Sequence, residues 1–354
     1  MTQKISKWQL VFILLLCRIF SLMTYVPAFT KTGGISLRLE AASIAVLIQA
    51  ALIIPVIIIE KRFPDKTVTG IIFEKNKIAG FATAALYLIF FIALCAGHAI
   101  NYINFVSGSF LGGARLLPLA LLLIVSAYCA YCGIEGLARS SVLMMIPFVI
   151  MIAVMAFNAK DSFDFNNFYA EKNISGLFRA VLDELERNSE IVALAFLMKN
   201  AKNSFRCSAY WLLAAKLLTA ATVMSLITAV LGDYADLAEY PLFAVGSSTQ
   251  PGLFRQNDAL YLIIWTISAV ISIALFLSVI AGISEEIIPE IKVKNIFASA
   301  AVFIVSAAFL YYNADFSIVR GSVCSALPQF TLLTVIPILI LVTKKKGGKV
   351  NVRK

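Results

Sequence analysis

Segments of about 20 apolar residues recur along this sequence from Trp8 almost to its end, each long enough to cross roughly 30 Å of hydrocarbon at 1.5 Å per residue. A backbone in lipid has no water to bond to, so runs of this length read as helices that satisfy their own N–H and C=O groups. Hydrophobic residues make up 60% of the 354 and charged residues 14%, against about 45–50% and about 25% in ordinary soluble domains. That balance excludes a soluble globular enzyme. The pattern predicts an all-α integral membrane protein of ten helices, over about 8–29, 39–59, 79–106, 115–133, 140–157, 174–198, 207–231, 259–283, 295–313 and 326–343. The longest polar stretch between them runs from Gly232 to Asp258, so the chain reads as one transmembrane domain over 1–354 with no inserted catalytic unit.

Lysine and arginine concentrate on the cytoplasmic side of membrane proteins. With the N-terminus inside, alternate connections carry 19 basic residues on the inner face and 7 on the outer, so both termini are expected in the cytoplasm. The formal net charge of +10 is therefore a topology signal rather than a nucleic-acid footprint. The basic tail over 344–354 reads as a stop-transfer anchor, within reach of anionic lipid headgroups. The first span runs too long for a secretory leader, and it carries Arg18 and lacks an A-x-A exit, so it belongs to the mature protein. The six cysteines lie almost entirely in spans, and Cys129 and Cys132 are expected to be packing residues.

Four basic residues, Arg18, Arg179, Arg187 and Lys216, fall inside predicted spans, where a charge costs about 2.5–3.5 kcal/mol and marks a site by default. Span 6, GLFRAVLDELERNSEIVALAFLMK, adds Asp183, Glu184, Glu186 and Glu190. It cannot face lipid all round. Residues three and four apart share a helix face, so Arg187 is within reach of Asp183 and Glu190, while Glu184 and Glu186 need water or another helix. Lys216 in span 7 is a candidate partner for Glu186 or Glu190. Span 1 is the second polar helix, with Arg18 midway, then Ser21, Thr24 and Pro27. Spans 1 and 6 stand five apart among ten, and an odd five-helix unit repeated once is inverted in the membrane. The units would cover about 8–157 and 174–343. Corresponding polar or interrupted helices in two such halves point to a midplane transporter site, so a cavity is expected between spans 1 and 6. The candidate ligand-binding residues are Arg18, Ser21, Thr24, Asn188, Ser189 and Glu190. Asp183, Glu186, Arg187 and Lys216 are candidates for ion pairing or proton coupling.

The single histidine, His98, lies near Asn101, Tyr102 and Asn104 but has no second ligand at metal spacing, so it is read as a packed polar residue. Gln49 reads as interhelical glue. No nucleophile motif, phosphate loop or zinc signature is present; no catalytic residue, metal or cofactor is expected, and the chain is not read as an enzyme.

Ile5-Ser6 with Gln9, EKRFPDKTVTGIIFE from Glu60, GIEGLAR from Gly133, Leu231-Gly232, Tyr240-Pro241, Phe254-Arg255, Asp258-Ala259 and Trp265 form a series of local patterns in a fixed order. In that order they resemble the spore-germination permeases, the membrane B subunits of nutrient-germinant receptors within the amino acid-polyamine-organocation superfamily. The resemblance covers almost the whole chain. It implies the ten-helix inverted repeat of LeuT-like transporters and an amino acid or similar small nutrient as ligand. It also implies the inner membrane of a bacterial spore, with a larger membrane subunit and a lipoprotein as partners. Glu190 falls where the family has a glutamate in the middle of span 6. Two departures stand out. Phe20 and Leu22 occupy the places of the family's usual Gly-x-Gly break, so Arg18 is the candidate for meeting a ligand carboxylate, and Asn188-Ser189 stands where a glycine would open span 6. The charge density of span 6 suits a ligand other than an apolar amino acid, one that carries a cation. The resemblance favours a receptor subunit that signals germination. A proton-coupled amino acid permease using Glu190 or Glu186, or a purely structural subunit, would use the same helices.

Overall fold

The computed structural model describes residues 4–24, 34–109, 113–168, 174–201, 205–248, 257–288 and 294–343. Pro27 and the basic tail lie outside them. The described residues are helical, with one isolated parallel bridge between Ile5 and Ala201.

In chain order the helices are α1 (Lys7–Met23), α2 (Gly34–Leu52), α3 (Ile54–Arg62), α4 (Val68–Phe73), α5 (Lys77–Ser109), α6 (Leu116–Tyr131), α7 (Ile134–Asn158) and α8 (Ile174–Arg187). Then follow α9 (Leu194–Leu197), α10 (Phe205–Leu231), α11 (Pro241–Ser248), α12 (Asn257–Ile287), α13 (Lys294–Tyr311), α14 (Phe316–Val323), α15 (Ala326–Phe330) and α16 (Ile336–Thr343). Among the described residues, six helical stretches are long and apolar enough to cross a membrane: Leu37–Arg62, Lys77–Gly108, Ile134–Asn158, Phe205–Ala235, Ala259–Ile287 and Phe316–Thr343. Leu116–Tyr131 and Asn295–Tyr311 are shorter apolar helices.

α12 is the central post, packed against α1, α5, α6, α7 and α13. Its Trp265 is fully buried among Phe20 of α1, Tyr102 and Phe105 of α5, and Tyr261, with ring centroids 4.4–6.3 Å apart. His98 is likewise enclosed, 4.8 Å from the Phe20 ring and 5.1 Å from that of Phe276.

The local motifs have physical causes. Ser6 caps α1 in a capping box with Gln9, each side chain bonding the other's backbone N–H at 3.4 and 2.7 Å. Gly133, at the start of α7, has φ +95°, a conformation that a side chain would strain. Sequence reading treats 60–74 as a connection, yet it contains α4, because Thr67 caps the helix by accepting from the Gly70 N–H at 3.0 Å. Thr67 and Thr69 then donate to Glu286 at the end of α12.

The segment preceding α1 is pinned. The Ile5 N–H donates to the Asn200 carbonyl at 2.8 Å, and Lys4 Nζ reaches the Lys199 carbonyl at 3.1 Å while pairing with Asp65.

Two stretches depart from the expected spans. Residues 314–325, read as a connection between spans, contain α14, capped by Asp315 through the Ser317 N–H at 2.8 Å. The helix expected over 174–198 is interrupted.

Candidate functional site

The interruption is at Asn188. α8 ends at Arg187, and Ser189–Ala193 and Met198–Asn200 are wound as 3-10 turns on either side of α9. Asn188 supplies the reason. Its Nδ2 bonds back to the Glu184 carbonyl at 2.6 Å, competing with the helical ladder, and its own N–H is shared between the Glu184 and Leu185 carbonyls. A 3-10 stretch in mid-helix is a common mark of a functional hinge.

Around the break lies a layer of buried charge. Arg18 Nη2 donates to Glu184 Oε2 at 2.7 Å, with the two side chains 2% and 0% exposed. Lys216 Nζ lies 2.7 Å from Glu190 Oε1, both 1% exposed. Gln49, fully buried on α2, joins the two pairs: its Nε2 donates to the Asn188 carbonyl at 3.1 Å, and its Oε1 accepts from Lys216 at 3.4 Å. Asn188 Nδ2 closes the chain on Glu184 Oε2 at 3.2 Å. α1, α2, α8 and α10 thus meet at the start of the 3-10 segment through two ion pairs at 2.7 Å, the separation of strong charge-assisted contacts, bridged by the longer bonds of Gln49 and Asn188.

Beyond this layer, at the end of α1, is a cavity of about 330 Å³. Thr24, Asn101, Asn104, Asp183, Glu186 and Arg187 line it together with Asp315, Phe316, Ser317 and Arg320. Charges of both signs line it. The Ser317 hydroxyl and backbone N–H hold the Asp315 carboxyl below its usual range, so it is ionised at neutral pH. Asp183 lies 3.9 Å from Arg38, and Glu186 lies 3.9 Å from Arg320.

A second cavity, about 360 Å³, opens at the opposite end of α1, where Lys199 and Asn200 meet Ser278, Glu285 and Asn295. The single segment from Asp183 to Asn200 therefore lines both cavities.

The sequence candidates divide between cavity and layer. Thr24, Asp183, Glu186 and Arg187 line the first cavity. Arg18 lies six residues before Thr24, about 9 Å deeper along the helix, with its guanidinium bonded to Glu184. Asn188, Ser189, Glu190 and Lys216 are buried in the layer. Ser21 bonds its own helix at the Cys17 carbonyl, 3.3 Å away, and Thr24 does the same at Phe20. Helix spacing offers Arg187 to Glu190, but the break at Asn188 rotates Glu190 away, and it meets Lys216 instead. Glu184 and Glu186 take partners from other helices, Arg18 and Arg320. α1 runs unbroken through Phe20 and Leu22.

Arg38, Asp315 and Arg320 are absent from the sequence candidates because basic and acidic residues next to loops read as solvated. A usable signal is present on α5, where Gly97, Asn101 and Asn104 stand at i, i+4 and i+7 and give one face a gap and two amides.

A family model described as "Spore germination protein" matches residues 4–317. Among solved structures, the chain is similar to that titled "Crystal structure of MhsT in complex with L-phenylalanine", a LeuT-fold transporter, with a TM-score of 0.56 and 16% identity over 97% of this chain and 98% of that one. No curated protein sequence matches. At that identity the structural likeness establishes fold alone.

Proposed function

This chain belongs to the spore germination protein family, and on that premise we propose that it is the membrane subunit of a spore nutrient-germinant receptor. It binds an amino acid or similar small nutrient where α1 meets the interrupted α8, and it passes the occupied state to partner subunits. The observation that carries this reading is the cavity of about 330 Å³ with charges of both signs at the break in α8. That volume lies at the lower end of the roughly 300–1,000 Å³ range of ligand pockets, and mixed charge suits a zwitterion. The neighbour in fold holds L-phenylalanine by its title. Family and fold are those of a multi-pass permease-like membrane protein rather than of an enzyme class.

In this reading the chain crosses the membrane ten times as two inverted five-helix units, with both termini in the cytoplasm and the whole in the inner membrane of the spore. Thr24, Asp183, Glu186 and Arg187 meet the ligand. Arg18, Ser21, Asn188, Ser189, Glu190 and Lys216 form the floor that rearranges with occupancy. A larger membrane subunit and a lipoprotein receive the change. Differential affinity for two states is what lets a ligand shift the equilibrium.

A second reading, a proton-coupled amino acid permease, is favoured by the cavity at the other end of α1, lined by the same segment. One experiment separates the two. Purified protein in liposomes is assayed with labelled amino acids for binding and for accumulation against a proton gradient, beside Glu190→Gln. Saturable binding without accumulation is the expected result. Accumulation that Glu190→Gln abolishes makes the protein a permease, and absence of any binding removes both readings.

A further inference from the structure

We propose that Arg320 and Glu186 form the recognition clamp of the first cavity, Arg320 taking the carboxylate and Glu186 the ammonium of a small zwitterionic amino acid. The inference rests on the reading of this cavity as a ligand site and names the groups that recognise the ligand.

Of four ion pairs around the break in α8, two are short and two are long; of the long ones, Arg38–Asp183 at 3.9 Å has its arginine outside the lining of the cavity, whereas Arg320 and Glu186 both line it. Arg18–Glu184 and Lys216–Glu190 are sealed at 2.7 Å. Arg320 Nε and Glu186 Oε1 stand 3.9 Å apart, beyond the 2.7–2.9 Å of a charge-assisted hydrogen bond, and their side chains are 16% and 28% exposed. Arg320 Nε is itself shielded and makes no hydrogen bond. A loose pair of opposite charges facing a cavity retains the hydrogen-bonding capacity that a ligand of two charges needs.

The neighbouring backbone leaves close room for Arg320 and lies within ordinary contact of Glu186. A Cβ at Gly97 would stand 3.2 Å from Arg320 Cδ, tighter than ordinary packing, and one at Gly321 would meet Glu186 Oε2 at 3.5 Å. Both arms of the clamp pass where α5 and α14 carry no side chain. A zwitterion beside the pair exchanges one long contact for two charge-assisted ones, while Asn101 and Asn104 offer amides to a short or polar side chain.

The test uses the full-length protein in nanodiscs, with equilibrium binding of L-alanine and L-asparagine, each compared with its amide and its N-acetyl derivative. Wild-type protein is expected to bind at least one free amino acid about 30-fold or more tightly than either derivative, as expected for loss of one partner of a buried charge pair. Arg320→Gln is expected to weaken the free amino acid by about 30-fold or more and to abolish discrimination against the amide, with partial recovery in Arg320→Lys. Glu186→Gln should abolish discrimination against the N-acetyl form. Wild-type protein that binds the derivatives as well as the free amino acid overturns the clamp without any variant needing to fold. Variants that keep wild-type affinity and discrimination overturn it as well, leaving the cavity as a site read by other residues. Failure of folded wild-type protein to bind any amino acid removes the ligand-site reading itself, and the clamp with it.

Discussion

Lys216→Met is expected to destabilise the helix bundle by about 3–5 kcal/mol, the cost of leaving one member of a buried ion pair without its partner. Glu190 is 1% exposed and 2.7 Å from the Lys216 ammonium. Removing the ammonium strands a carboxylate in a layer that water does not reach, and it deprives Gln49 of a donor. The double variant Lys216→Met with Glu190→Gln is expected to recover most of the loss, because an isosteric neutral pair carries no unbalanced charge. Thermal unfolding in detergent, followed by circular dichroism and run on all three variants and wild type, measures both effects. Equal midpoints for Lys216→Met and wild type would mean that the ion pair is not what holds α10 to the 3-10 segment.

Arg18→Gln is expected to cost a similar amount, about 3–5 kcal/mol, since Glu184 is fully buried and, among the described residues, keeps only Asn188 as a hydrogen-bonding side-chain partner. From sequence alone the same substitution is expected to abolish binding of carboxylate ligands. The geometry supplies a different route to the same phenotype, loss of fold rather than of a ligand contact. The double variant Arg18→Gln with Glu184→Gln distinguishes them. It is expected to regain stability, and its affinity for a free amino acid then reports on the ligand alone. Wild-type affinity in the double variant assigns Arg18 to the floor of the site; lost affinity with restored stability assigns it to the ligand.

That the chain folds as apolar helices is legible in its sequence because lipid permits a backbone few alternatives, and uninterrupted runs such as those around α5 and α12 have no other reading. The concentration of cost in α8 is legible for the same reason. The pairing is not, since which carboxylate meets which cation depends on how helices pack, and five charges within eight residues admit many solutions. Arg38 illustrates the difficulty: it counts as an outer-face cation in the charge tally, yet its side chain is fully buried near Asp183. Arg320 is hidden by its polar surroundings, where Asn313, Asp315, Ser317 and Ser322 disguise α14 as a loop. The break at Asn188 is half legible. An asparagine followed by a serine is a poor helix interior, but only the structure reveals that the Asn188 side chain displaces the ladder by bonding back to Glu184.

The chain has three tryptophans. Trp8 and Trp211, about half exposed, pair at 5.7 Å near the start of α1, whereas Trp265 sits fully enclosed against Phe20 of that helix, one turn from Tyr261, whose hydroxyl bonds the Met23 carbonyl. Replacing Trp8 and Trp211 with phenylalanine therefore leaves one native fluorophore lodged between α1 and α12, close to the floor of the cavity. Any tilt of α1 against the central post would alter its emission, giving the protein a built-in optical gauge of that movement.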